Sequence, residues 1–222
     1  MNLTMNRQGV KHRVHELREL SRGAFVVRAD RHGLAFEPGQ YINVGLRGEI
    51  DMREYSIYSG PDDDFLEILV KEVDDGLVSR KLHRVSPGDE LSIDGPFGFF
   101  LIDEEYRATQ EFLFIATGTG ISPFRSFVRG YPELDYTLLH GVRYEDERYE
   151  YENYDANRLV RCISREDGGD YRGRVTDWLR EHPVKPETIC YLCGNCDMIY
   201  EAFDILKGHG VPPEQLYAEV YF

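Results

Sequence analysis

Residues 111–124, EFLFIATGTGISPF, mark a change in the periodicity of the chain. A compact apolar run, EFLFIAT, leads into Gly118-Thr119-Gly120, and Ile121-Ser122-Pro123 then open a helical pattern. A short, continuously apolar segment is the signature of a strand buried on both faces, as in a parallel sheet. The turn after it fits two readings. It is an ordinary strand-to-helix connection, or it is a phosphate cradle. Glycines let the backbone approach closely, and a helix start offers unpaired N–H groups. Pro123 suits an early helical position but stands where a G-x-G-x-x-G fingerprint has its third glycine.

Downstream, YTLLHGV, RLVRCIS and TICYLCG repeat the apolar pattern, with helical segments expected at 122–129, 174–181 and 197–207. LYAEV near the end supplies a fifth strand, so residues 105–222 read as a parallel five-stranded α/β domain. Upstream the pattern differs. RVHELREL, AFVVRAD, QYINVGL, REYSIYSG, DFLEILVKEV and DELSID are short strands, several alternating apolar and polar, separated by Gly- and Pro-containing turns. Six strands at this spacing predict an antiparallel β-barrel over residues 1–104, interrupted by one helical piece at 77–84. The charged stretch IDEEYR, residues 102–107, is the expected boundary, and the cleft between two such domains is a favoured ligand site.

The formal net charge of −14 argues against nucleic-acid binding, which needs a cationic face. No stretch approaches the ~18 apolar residues of a membrane span, and the N-terminal residues have no signal-peptide pattern. A cytoplasmic location is expected. Four cysteines, three of them crowded into CYLCGNCD at 190–197, make a poor disulfide framework. Their C-x-x-C-x-x-C spacing evokes a metal cluster. On a strand, however, Cys190 and Cys193 lie about 10 Å apart and face opposite sides. No metal site is expected.

In order along the chain stand Arg53-x-Tyr55-Ser56, Gly76-x-x-Ser79, Gly95-Pro96-x-Gly98, Gly118-Thr119-Gly120-x-x-Pro123, Cys193-Gly194 and the terminal Glu219-Val220-Tyr221-Phe222. Together they resemble the ferredoxin–NADP(+) reductase family, in its compact bacterial branch. That resemblance implies an FAD-binding barrel followed by an NADP(H)-binding domain. It implies hydride transfer between NADPH and flavin N5, then single-electron exchange with a ferredoxin or flavodoxin, by a monomer.

The resemblance also assigns residues. Arg53 pairs with the FAD pyrophosphate, Tyr55 stacks on the isoalloxazine, and Ser56 lies near N5. Val70, Lys71 and Glu72 line the flavin. Gly76, Leu77, Val78 and Ser79 cradle the pyrophosphate. Tyr221 covers the other flavin face and Phe222 lies near the adenine. Gly118, Thr119, Gly120 and Pro123 hold the nicotinamide nucleotide, with Gly194 and Met198 alongside. Arg143, Ser164, Arg165 and Arg174 bind its phosphates, the last three forming the 2′-phosphate site that separates NADP from NAD. The implied catalytic set is Ser56, Cys193, Glu219 and Tyr221, with Cys193 positioning the nicotinamide. Arg80, Lys81 and Arg84 are the expected docking patch for an acidic partner. Two other readings stay open: a reductase that feeds an oxygenase or reduces free flavin, and a non-catalytic electron-transfer subunit. The chain contains no C-x4-C-x2-C run of its own.

Overall fold

The computed structural model describes residues 10–221. Six strands come first: β1 (His12–Ser21), β2 (Ala24–Asp30), β3 (Tyr41–Leu46), β4 (Arg53–Ser56), β5 (Phe65–Lys71) and β6 (Glu90–Phe97). Helix α1 (Leu77–Leu82) lies between β5 and β6. Antiparallel pairing orders the strands β4-β3-β6-β1-β2-β5. A bridge between Ile57, just past β4, and Ile68 of β5 joins the two ends. That closes the sheet into a barrel and covers its edges.

The second half contains α2 (Glu104–Arg107), β7 (Glu111–Thr117), a 3-10 turn (Gly118–Ile121), α3 (Ser122–Gly130), β8 (Asp135–Val142), β9 (Leu159–Ile163), β10 (Tyr171–Arg172), α4 (Val175–Glu181), β11 (Ile189–Gly194), α5 (Cys196–Gly208) and β12 (Leu216–Val220). The sheet is parallel throughout, in the order β10-β9-β8-β7-β11-β12. It has six strands, not the five expected. The extra one is the two-residue β10, which pairs Tyr171 with Cys162 and Arg172 with Ile163. Two residues carry no periodicity, so nothing in the sequence pattern marks them.

Alternation explains which residues each layer buries. On β7, Phe112, Phe114 and Ala116 pack to one side of the sheet and Leu113 and Ile115 to the other. On β2, Phe25 and Val27 fill the barrel, while Ala24 and Val26 join the cluster shared with the second domain. Leu69, Tyr58, Phe100 and Ile102 belong to the same shared cluster. The two domains therefore meet through a continuous apolar core. Its burial is favourable by roughly 25 cal/mol per Å².

Helix α3 adds a polar contact. Ser122, Arg125 and Ser126, spaced to share one helix face, all reach the barrel segment that continues β4. Ser122 Oγ donates to Ser56 O (3.1 Å), Arg125 Nη1 to Tyr58 O (2.8 Å) and Ser126 Oγ to Ser59 O (2.9 Å). Arg125 Nη1 also lies 2.9 Å from a carboxylate oxygen of Glu67, which is fully buried and further paired with Arg18 and Arg28. Removing one member of a buried ion pair leaves the other charge short of a partner, at a typical cost of about 3 kcal/mol. Arg125→Ala is expected to lower stability by about that amount in urea unfolding. An unchanged midpoint would show that this pair does not hold α3 in place.

Candidate active site in the interdomain cleft

The carboxyl ends of β7, β8, β9, β11 and β12 open toward the barrel at β4, where ligands bind in sheets of this kind. Between them is a cavity of about 1080 Å³, at the top of the usual range for small-molecule sites. From the barrel side, Arg53, Tyr55, Ser56, Lys71, Gly76, Leu77, Val78 and Ser79 line it. From the parallel sheet come Gly118, Thr119, Arg143, Ser164, Arg165, Arg174, Gly194, Met198, Glu219 and Tyr221.

Five expected residues are not on the wall. Val70 faces the barrel interior, because alternation on β5 presents Leu69 and Lys71 to the cavity instead. The Glu72 carboxylate is bonded to His83, at the C-cap of α1. Pro123 is buried in the first turn of α3. Gly120 is buried against the neighbouring loop. A Cβ there would come within 2.2 Å of Cys193 O, and one on Gly194 within 2.3 Å of Thr117 Oγ1. These two glycines let the β7 and β11 loops interlock, and only Gly194 reaches the cavity. Cys193 is wholly buried, with Tyr221 packed on its cluster. Phe222 lies outside the described residues.

Sequence reasoning missed Tyr41 and Asn43 of β3, Val73, Tyr149 and Asn195, all on the wall. Tyr41 pairs with Ser56 and Asn43 with Glu54 in the β3–β4 register, a signal available only once those strands are known to be neighbours. Of the expected docking patch, Lys81 is bonded to Glu49 and Arg80 is tied to Asp74 O (3.2 Å). The backbone carbonyl leaves the Arg80 charge uncompensated, and Arg84 is exposed with no ion pair among the described residues, so only Lys81 of the patch is neutralised.

The four expected catalytic groups do converge. Tyr221 Oη donates to Ser56 Oγ, which donates to Glu219 Oε2 at 3.2 Å. The Tyr221 hydroxyl also reaches the Cys193 thiol. Strand pairing sets Cys193 beside Glu219, and Tyr221 N donates to Gly194 O (2.9 Å). Burial raises the Glu219 carboxyl to about 7; the Ser56 hydrogen bond opposes this and Glu54 adds to it. Burial, then the Glu219 charge, holds the Cys193 thiol well above its usual range, so it stays protonated. An uncharged thiol is a poor nucleophile, so covalent attack is disfavoured.

Two features fit a dinucleotide and a flavin. Arg53, Arg143, Arg165 and Arg174 line the cavity, and among the described residues none is paired with a carboxylate. By contrast Arg18, Arg28, Arg125, Arg129, Arg158, Arg161 and Arg180 all sit on acidic side chains. Unpaired guanidinium forks suit phosphate oxygens. Val73 and Leu77, 48% and 59% exposed, also leave apolar surface open on the wall, where a flat ring system would cover it.

Comparison with known proteins agrees with this geometry. The Oxidoreductase FAD-binding domain profile matches residues 10–102, and the Oxidoreductase NAD-binding domain profile matches residues 114–203. Ferredoxin–NADP reductase B of Sorangium cellulosum is 30% identical over 219 residues, 87% of this chain and 88% of that protein. The toluate 1,2-dioxygenase electron transfer component of Pseudomonas putida is 28% identical across 94% of this chain, which spans only 65% of that relative's length. A ferredoxin NADP+ reductase from Neisseria gonorrhoeae, solved with bound FAD and NADP, shares the fold: TM-score 0.84, 22% identity, 96% of this chain and 98% of that one. Fold and site thus define an oxidoreductase built from an FAD-binding barrel and an NAD-binding α/β domain. The chain belongs to the ferredoxin–NADP reductase family.

The raised Glu219 carboxyl makes a stability prediction. The folded state binds more protons than the unfolded one between about pH 4.5 and 7, so this group's contribution falls as pH rises through that window. Glu219→Gln is expected to be more stable than the parent at pH 8, by on the order of 2 kcal/mol after allowing for partial exposure. Near pH 4 the two should unfold together. Equal midpoints at pH 8 would contradict the raised carboxyl.

Proposed function

We propose that the chain is an FAD-dependent ferredoxin/flavodoxin–NADP(+) reductase, exchanging electrons between NADPH and a one-electron carrier protein. The observation that carries this is the Tyr221–Ser56–Glu219 network at the domain junction, on the wall of a cleft whose arginines have no carboxylate partner among the described residues. We divide the chain near residue 104, between the two profile matches. One chain supplies both cleft walls, which suits a monomer. Its free thiols suit a reducing, cytoplasmic setting.

Bound FAD supplies the exchange between two-electron and one-electron chemistry. Arg53 and the first turn of α1 would hold its pyrophosphate, and Tyr55 would stack on its ring system. Arg143, Ser164, Arg165 and Arg174 would hold the phosphates of NADPH. Tyr221 shields Ser56 and Cys193 from solvent, and must shift for a nicotinamide to reach Cys193. Glu219, titrating near 7, holds or releases a proton one hydrogen bond from Ser56 Oγ.

An anaerobic titration with NADPH and NADH, followed by flavin absorbance, tests the reading. Bleaching is expected at lower concentration with NADPH. Arg165→Ala and Arg174→Ala should each weaken that preference about tenfold or more, the loss of one charge-assisted hydrogen bond. Ser56→Ala should slow reduction about 100-fold while retaining FAD. A second reading, a reductase component of an oxygenase system, is favoured by the Pseudomonas relative. Preference for NADH would select it. A protein that takes up no FAD would overturn both.

A further inference from the structure

His140 is a fully buried imidazole on β8 that none of the assignments above uses. It pairs with Ala116 across the β7–β8 register, two residues before Gly118. Its Nε2 is 2.8 Å from Gly118 O and its Nδ1 is 2.9 Å from the Tyr151 hydroxyl. A carbonyl has no proton to give, so Nε2 must carry the hydrogen. Nδ1 is then the acceptor and Tyr151 the donor. The edge-to-face ring of Tyr149, 5.0 Å away, closes the apolar side. Tyr151 Oη has a second, longer acceptor in Glu147 O at 3.4 Å, but burial pushes the His140 pKa down to about 4, so the ring is neutral at physiological pH and Nδ1 takes the Tyr151 proton.

Gly118 opens the 3-10 turn with φ +53°, a left-handed state open to glycine at little cost. A trans peptide points its C=O and the next N–H in opposite directions. With the Gly118 carbonyl drawn inward to His140, the Thr119 N–H is turned away from the core, and Thr119 lines the cavity. We propose that His140 is a positioning residue that sets the Gly118–Thr119 peptide so that its N–H faces the nucleotide phosphates. This rests on the reading that the β7 loop holds the pyridine nucleotide.

Three variants test it: His140→Gln, His140→Asn and His140→Leu. The Gln amide nitrogen reaches the place of Nε2 and can donate to Gly118 O. The Asn nitrogen stops at the place of Nδ1, and Leu has no donor. The readouts are KM for NADPH, kcat with ferricyanide as acceptor, and FAD content. His140→Gln should stay within about threefold of the parent KM. His140→Asn and His140→Leu should raise KM about tenfold, the loss of one hydrogen bond, with kcat changed less than twofold and FAD retained. If His140→Leu loses FAD or fails to fold, the Gln–Asn comparison decides. Equal KM values for Gln and Asn, or a loss confined to kcat, would overturn the inference. A parent protein with no saturable response to either NADPH or NADH would instead overturn the nucleotide reading, and this inference with it.

Discussion

Three guanidinium groups converge on the buried Glu67 carboxylate: Arg18 and Arg28 from the barrel and Arg125 from α3 of the second domain. A charge this deep is costly unless paired, and Arg125 is the partner that only correct domain docking can deliver. The same residue bonds Tyr58 O, one link beyond the strand that carries Ser56, while α3 itself begins at the end of the β7 loop. The angle between the two halves of the cleft is therefore fixed by a contact outside it. Glu150 joins the cluster by pairing with Arg18 and Arg125, and does so from a left-handed backbone position, φ +53°. Such a conformation costs a non-glycine residue about 1–2 kcal/mol, so local preference has yielded to the ion pairs.

Shared apolar burial provides the adhesion and the ion-pair cluster provides the register. Apolar burial scales with area and has no direction, so it tolerates small rotations of one domain on the other. Directional bonds do not. Ser122, Arg125 and Ser126 reach the carbonyls of Ser56, Tyr58 and Ser59, and a shift of one residue would break all three bonds. Ser56 Oγ and Glu219 Oε2, from different domains, meet at 3.2 Å because that register is kept.

The fold was legible because the two sheet types leave different periodicities. EFLFIAT is buried on both faces and reads as one apolar run, whereas the barrel strands alternate. β2 is the instructive intermediate: AFVV is continuous because its outer face meets the second domain. The site was legible where a motif sits on the wall, as with Arg53, Tyr55, Ser56 and Gly118. It was not legible where a motif residue serves packing. Gly120 and Gly194 look alike in sequence, yet one interlocks loops and the other also opens on the cavity. Glu67 and Arg125 are 58 positions apart, and no local pattern announces that a charged residue in FLEILVK will be buried. The same strand geometry separates Cys190 from Cys193: the first packs beneath α5 and the second beneath Tyr221.

The charge of −14 then takes on a different meaning. Spread evenly, it would repel the phosphates of both nucleotides. Beyond about 10 Å, however, salt screens such a field, and what a ligand meets in the cleft is the local arrangement. Of the five carboxylates that the described residues place on its wall, three are engaged: Glu219 is held near neutrality, Glu201 is bonded to Arg180, and Glu147 accepts from the backbone of Arg143, while Glu54 and Asp197 stay exposed to solvent. The guanidinium groups of Arg53, Arg143, Arg165 and Arg174 keep no such partner among the described residues. Acidity on the outside and unspent cations within are compatible because each is decided over a few ångströms.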